Sequence, residues 1–113
     1  VPRSRLAEAM TAVGAIAAAH GVRIPTFAHA ADGNIHPIIL LGDGPDARAA
    51  EKAADEIFAL ALRLGGTVTG EHGVGVLKRR WLAAELGETA LDLHHRLKRV
   101  LDPGEILNPG KAI

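Results

Sequence analysis

Two histidines, His29 and His36, bracket the stretch His-Ala-Ala-Asp-Gly-Asn-Ile-His, and a Glu71-His72 pair sits in the run Gly70-Glu71-His72-Gly73-Val74-Gly75. Imidazole and carboxylate groups hold divalent cations and move protons near neutral pH. The histidines lie between two apolar runs, 22–27 and 37–41, and Asp-Gly is the strongest short-range signal for a two-residue hairpin turn. With Asp32 and Gly33 at the centre of that turn, Ala31 faces Asn34, Ala30 faces Ile35 and His29 faces His36. Directly opposed residues point to the same side with Cβ atoms about 4.5–5.5 Å apart, so the two rings reach one metal ion or one substrate oxygen. The plainer reading is a pair of hydrogen-bonded structural histidines. Glu71-His72 is the place to look for a third ligand.

The elements that must carry these groups are set by a chain of 113 residues with 13 Lys plus Arg against 13 Asp plus Glu. Zero formal charge argues against a broad nucleic-acid footprint. The one basic run, Lys78-Arg79-Arg80, reads as a solvated helix start. With no cysteine there is neither a disulfide nor a thiolate metal site, so any metal is held by nitrogen and oxygen, which suits zinc, manganese or iron. No signal-peptide core and no membrane-length apolar stretch is visible, and a soluble, cytoplasmic protein of one domain is expected.

A first helix is expected from an N-cap at Ser4, with Leu6, Met10, Val13 and Ala17 inward, a basic His20 in the last turn and a stop at Gly21. The hairpin follows. Both its faces are apolar, so it needs cover on both sides, one from the chain's own helices and one from a neighbouring domain. Pro25 and Pro37 remove ladder donors and favour edge or bulged positions. Gly42–Asp46 is a turn with Asp46 as N-cap. Ala50, Ala53, Ala54, Ile57, Phe58, Ala61 and Leu64 then form an amphipathic stripe ending at Gly65-Gly66. Thr67-Val68-Thr69 reads as a short strand leading into the glycine-rich loop. A helix from about Leu77 carries Trp81 and Leu82 and stops near Gly87; another runs from about Thr89 to Leu101 with Leu93, Leu97 and Val100 inward and His94 and His95 at the surface. Asp102-Pro103 breaks it, and a turn-rich tail ends the chain. The order gives an α+β fold, an antiparallel sheet with helices packed on one face plus a C-terminal helical tail.

Three motifs together, His-Ala-Ala-Asp-Gly-Asn-Ile-His (29–36), Gly-Glu-His-Gly-Val-Gly-Val-Leu-Lys (70–78) and Asp-Pro-Gly-Glu-Ile-Leu-Asn-Pro-Gly-Lys (102–111), resemble the C-terminal cap domain of FAD-linked oxidases of the vanillyl-alcohol-oxidase type. The likeness is greatest to the glycolate oxidase D subunit and D-lactate dehydrogenase group, and it covers residues 1–113. It implies half of a ferredoxin-like cap domain, a fragment whose FAD is held mainly by an absent N-terminal domain. An open sheet edge in such a fragment favours a homodimer or strand exchange.

The resemblance also implies roles. His29, His36 and Glu71 match metal ligands for a divalent ion, zinc before manganese or iron. His72 matches a catalytic histidine, here the general base for a 2-hydroxy acid such as glycolate or D-lactate. Gly73, Gly75, Asn108 and Lys111 match residues near the flavin, Asn34 supports substrate or a histidine ligand, and Lys78 is a helix-start cation or a group near the site. Ala31 stands where the family pattern commonly has glycine, which shifts the turn. Ile38 stands where dicarboxylate-oxidising members carry asparagine, which favours a smaller or less polar acid. The electron acceptor is not specified. The competing readings are a standalone His/His/Glu metal-binding module and an interaction domain with buried structural histidines. A phosphate loop at 70–75 fits neither glycine fingerprint.

Overall fold

The computed structural model describes residues 1–41 and 47–113. The turn and N-cap expected at Gly42–Asp46 lie outside the described residues. The chain divides into two compact units, Val1–Thr67 and Val68–Ile113, and its architecture is α+β.

In the first unit a single 3-10 turn, Arg3–Arg5, opens α1 (Leu6–His20). Ser4 is inside that turn and does not cap the helix; the N-cap position is Arg5, with no side-chain bond. Gly21 ends α1 in the left-handed conformation (φ 64°), and Gly21 and Val22 N–H groups donate to the Ala18 and Ala17 carbonyls, satisfying orphan acceptors as a glycine C-terminus does. The buried residues of α1 are Ala9 and Val13, whereas Met10 is exposed. The inward stripe is therefore rotated from the expected Leu6–Met10–Val13 line: a helix this rich in alanine offers no bulky marker of its packed side, and the close approach of α2 selects the small residues.

Helix α2 (Ala47–Arg63) buries Ala50, Ala53 and Leu60, and Gly65 (φ 75°) turns the chain after it. Ala9, Val13, Leu60 and Leu64 form the core cluster, with Ile16, Ile24, Ile35 and Ile57 packed against it. A fully buried valine or leucine contributes about 1.5–3 kcal/mol, against at most about 1 kcal/mol for an exposed ion pair. His20 Nε2 nevertheless links the end of α1 to Glu56 Oε1 of α2 at 2.9 Å.

The sheet is one hairpin, β1 (Thr26–His29) and β2 (Asn34–Pro37), extended by the Arg23–Leu40 bridge and by Ile38 N–H donating to Pro25 O at 2.9 Å. Its register pairs Phe27 with His36, Ala28 with Ile35 and His29 with Asn34. The expected pairing of His29 with His36 is thus corrected by two residues, because the turn has four residues, Ala30 to Gly33. A two-residue primed turn needs positive φ at its first central position, and the type I′ form that Asp-Gly favours needs it at both; Asp32 does not have it, and only Gly33 (φ 78°) does. Asp32 instead accepts the Asn34 N–H on Oδ1 at 3.0 Å, while His29 O accepts from Asp32 and Gly33 N–H.

The second unit has no strand: residues 67–69 are irregular, a correction of the strand expected there. Val68 is buried and its N–H donates to Glu85 Oε2 at 2.9 Å, a side-chain partner in place of a ladder. A 3-10 turn (Arg79–Trp81) leads into α3 (Leu82–Leu101), which Gly87 interrupts at φ 74°, ψ 162°, where the sequence places a break. Leu93, Leu97 and Val100 are exposed, Val100 at 76%, so the expectation that they point inward is corrected. The periodicity records an apolar face that is left exposed among the described residues.

Gly33 also allows a close approach: a Cβ there would stand 2.1 Å from the Val1 carbonyl oxygen, and the Val1 N donates to Gly33 O at 3.0 Å. Gly65 has nearly the same φ, 75°, with nothing within 4 Å of its would-be Cβ. Gly65→Ala should cost roughly 1 kcal/mol from conformation alone, and Gly33→Ala clearly more. Equal losses in denaturant unfolding would show that the Val1 approach plays no part.

Candidate functional site

The hairpin sorts its side chains by parity. Ile24, Ala28 and Ile35 share the face turned to the core, and Ile24 and Ile35 reach it. Phe27, His29, Asn34 and His36 therefore share the other face. A register error of one residue would have sent one histidine inward; an error of two leaves both on the same side. His29 and His36 are diagonal neighbours, and their rings lean together to a centroid distance of 5.1 Å with planes at 86°. Asn34 stands directly across from His29. Phe27, opposite His36, is 61% exposed, and Ile38 is exposed too, so the pair is flanked by uncovered apolar surface.

Two imidazoles on one face, one exposed and one half-buried, suit a borderline cation that accepts nitrogen donors.

Glu71 and His72 lie in the second unit, both exposed, with His72 Nε2 3.6 Å from Glu71 Oε1. Their loop turns at Gly73 (φ 74°) and Gly75 (φ 58°), and a Cβ at either would meet nothing within 4 Å. Within this chain both glycines serve backbone conformation. Asn108 takes positive φ, 50°, and its carbonyl accepts the Lys111 N–H. Ala112 N–H then donates to Gly75 O at 2.8 Å, and Arg79 Nη1 to Gly110 O at 3.3 Å. The structure thus brings the 108–111 tail to the glycine-rich loop. Lys78 precedes the 3-10 turn, its carbonyl accepting from Trp81 N–H.

Sequence reasoning missed Asp102, treating it as a helix breaker. It is 4% exposed and gathers Lys98 Nζ and Leu107 N–H on Oδ2 and Ile106 N–H on Oδ1. Asking where the backbone donors after a helix-ending Asp-Pro-Gly find acceptors would have pointed to it. The Lys98 ammonium, and after it the Leu107 and Ile106 N–H groups, hold the carboxyl below its ordinary value of 3.8, against burial, which raises it.

In sequence the chain matches the family described as FAD linked oxidases, C-terminal domain, over residues 1–112, and it belongs to that family. It is 44% identical over 113 residues to glycolate oxidase subunit GlcD of Bacillus subtilis, covering 98% of this chain and 24% of that protein. Mitochondrial D-lactate dehydrogenase [cytochrome] of Arabidopsis thaliana is 41% identical over 115 residues, covering 100% of this chain and 20% of that protein. D-lactate dehydrogenase of Archaeoglobus fulgidus is 35% identical over 113 residues, with 100% of this chain and 25% of that protein covered. The chain thus spans between 20% and 25% of the length of these curated relatives. Among the described residues no helix is long and apolar enough to cross a membrane.

A carboxyl whose folded-state pKa is depressed adds stability that is fully present above its unfolded pKa and is lost as pH falls through the folded one. The gap in melting temperature between the wild type and Asp102→Asn should be steady above pH about 5 and close below pH about 4. A gap that does not change with pH would refute the assignment.

Proposed function

We propose that this chain is the substrate- and metal-binding part of an FAD-dependent 2-hydroxy-acid dehydrogenase of the glycolate or D-lactate type. The observation that carries the reading is the His29–His36 pair on the face of the hairpin opposite Ile24 and Ile35, in a chain of this family. The names of the relatives supply the substrate class.

His29, His36 and Glu71 would hold a divalent ion, zinc before manganese or iron, through two nitrogens and one oxygen. An ion with open positions supplies Lewis acidity that lowers the pKa of a bound hydroxyl. FAD, held mainly by an N-terminal domain, supplies the hydride acceptor. Oxidation takes the hydroxyl proton and a hydride from the α-carbon, leaving the 2-oxo acid. His72 takes the proton, since imidazole is a good base near neutral pH. Asn34, across from His29, orients that ring, the role of a supporting residue behind a metal ligand. Gly73 and Gly75 give the loop a bare backbone toward the flavin ring, and Asn108 and Lys111 bring the tail to the same cofactor.

The partner this requires is the chain's own flavin domain. The relatives' greater length provides for it, and the exposed apolar residues around the histidines and along α3 provide surface for it to cover. Phe27 and Ile38 beside the pair favour a small, weakly polar acid over a dicarboxylate, because an apolar wall does not compensate a second buried carboxylate.

In the full-length flavoprotein, His72→Ala should lower kcat for D-lactate or glycolate by about 10²–10⁴-fold while metal content holds. His29→Ala and His36→Ala should lower metal content itself. Metal binding without flavin-dependent oxidation of any 2-hydroxy acid would favour a metal module without redox activity. Unchanged metal content in both histidine variants would sink the ligand assignment.

A further inference from the structure

Resting on the reading of Glu71 and His72 as site residues, we propose that Asp102 and Glu85 are positioning residues, clamping the two ends of the loop that carries them.

The loop is rich in glycine, with Gly70, Gly73 and Gly75, two of them at positive φ, and its Glu71 and His72 side chains are exposed. Burial therefore does little to fix its path, and both of its ends are tied by hydrogen bonds. At the first, Val68 is 4% exposed and its N–H is fixed to Glu85 Oε2 on α3. At the second, Gly75 O is fixed by Ala112 N–H from the tail.

The tail is held in turn by Asp102. Besides its three carboxylate bonds, its own carbonyl accepts Glu105 N–H at 3.1 Å, and Lys98 Nζ donates to Leu107 O at 2.6 Å. These bonds close the turn from 102 to 107 and fix the direction in which the chain leaves it. Asn108 and Gly110 redirect it, Arg79 holds Gly110 O, and Ala112 arrives at Gly75. Hydrogen bonds and the short stretch of backbone between them thus join a buried carboxylate at the end of α3 to the loop of His72.

Among the described residues the turn buries little apolar surface, Ile106 being 80% and Leu107 60% exposed. Burying a carboxylate is costly unless it is fully hydrogen-bonded. Asp102 meets that condition with bonds to both oxygens, and those bonds fix the segment that leads to Gly75.

The test uses the full-length flavoprotein with Asp102→Asn, Lys98→Met as a second route to the same clamp, Glu85→Ala, and Glu85→Gln, which keeps an acceptor for Val68. Amide hydrogen exchange at residues 70–76 should accelerate at least about tenfold in the first three and stay near wild type in Glu85→Gln, with α1 and α2 unchanged. kcat should fall about tenfold or more in the same three, with KM within about threefold. Loop exchange at the wild-type rate, acceleration spread evenly over the chain, or a loosened loop with unchanged kcat would each overturn the proposal. A wild-type protein that oxidises no 2-hydroxy acid would defeat the functional reading instead; with no kcat to read, exchange alone then decides the clamp.

Discussion

The antiparallel pairing of residues 26–29 with 34–37 is the constraint on which the remainder depends. Side chains alternate across a strand with a period of two, so once Ile24 and Ile35 are drawn to the Ala9–Val13–Leu60–Leu64 core, His29 and His36 have no choice of side. Their geometry follows from the apolar residues between them and from a turn that only glycine can close.

The two units are stabilised differently. The first has an aliphatic core between two helices and the hairpin. The second buries Val68 and Leu82 and leaves Leu93, Leu97, Val100, Leu101, Ile106 and Leu107 exposed. Its definition comes from hydrogen bonds to side chains, Glu85 and Asp102 above all, which fix local geometry without supplying much net stability.

Local chemistry made much of this legible. Gly21, Gly65 and Gly87 end or interrupt helices where the sequence places breaks, because left-handed or extended glycine geometry is a local property. The shared face of His29 and His36 was legible because parity survives a two-residue slip, although the slip itself was not: Asp-Gly signals a turn, and whether Asp32 sits at its centre or bonds Asn34 from its side chain depends on backbone angles. The alanine-rich α1 hid its inner stripe, Thr67–Thr69 had strand composition but no partner strand, and the leucines of α3 showed an amphipathic helix without showing what covers it. Asp102 was illegible as an anchor because its partners follow it in an irregular segment that no periodicity describes.

The most direct test is anomalous diffraction from crystals of the full-length flavoprotein grown with zinc or manganese. The expected result is one peak bonded to His29, His36 and Glu71 at roughly 2.0–2.2 Å, with His72 beside it and unbound. No peak at the hairpin, or an ion held by other side chains while His29 and His36 bond only to protein, would contradict the central claim that this hairpin face is the chemical centre of the domain.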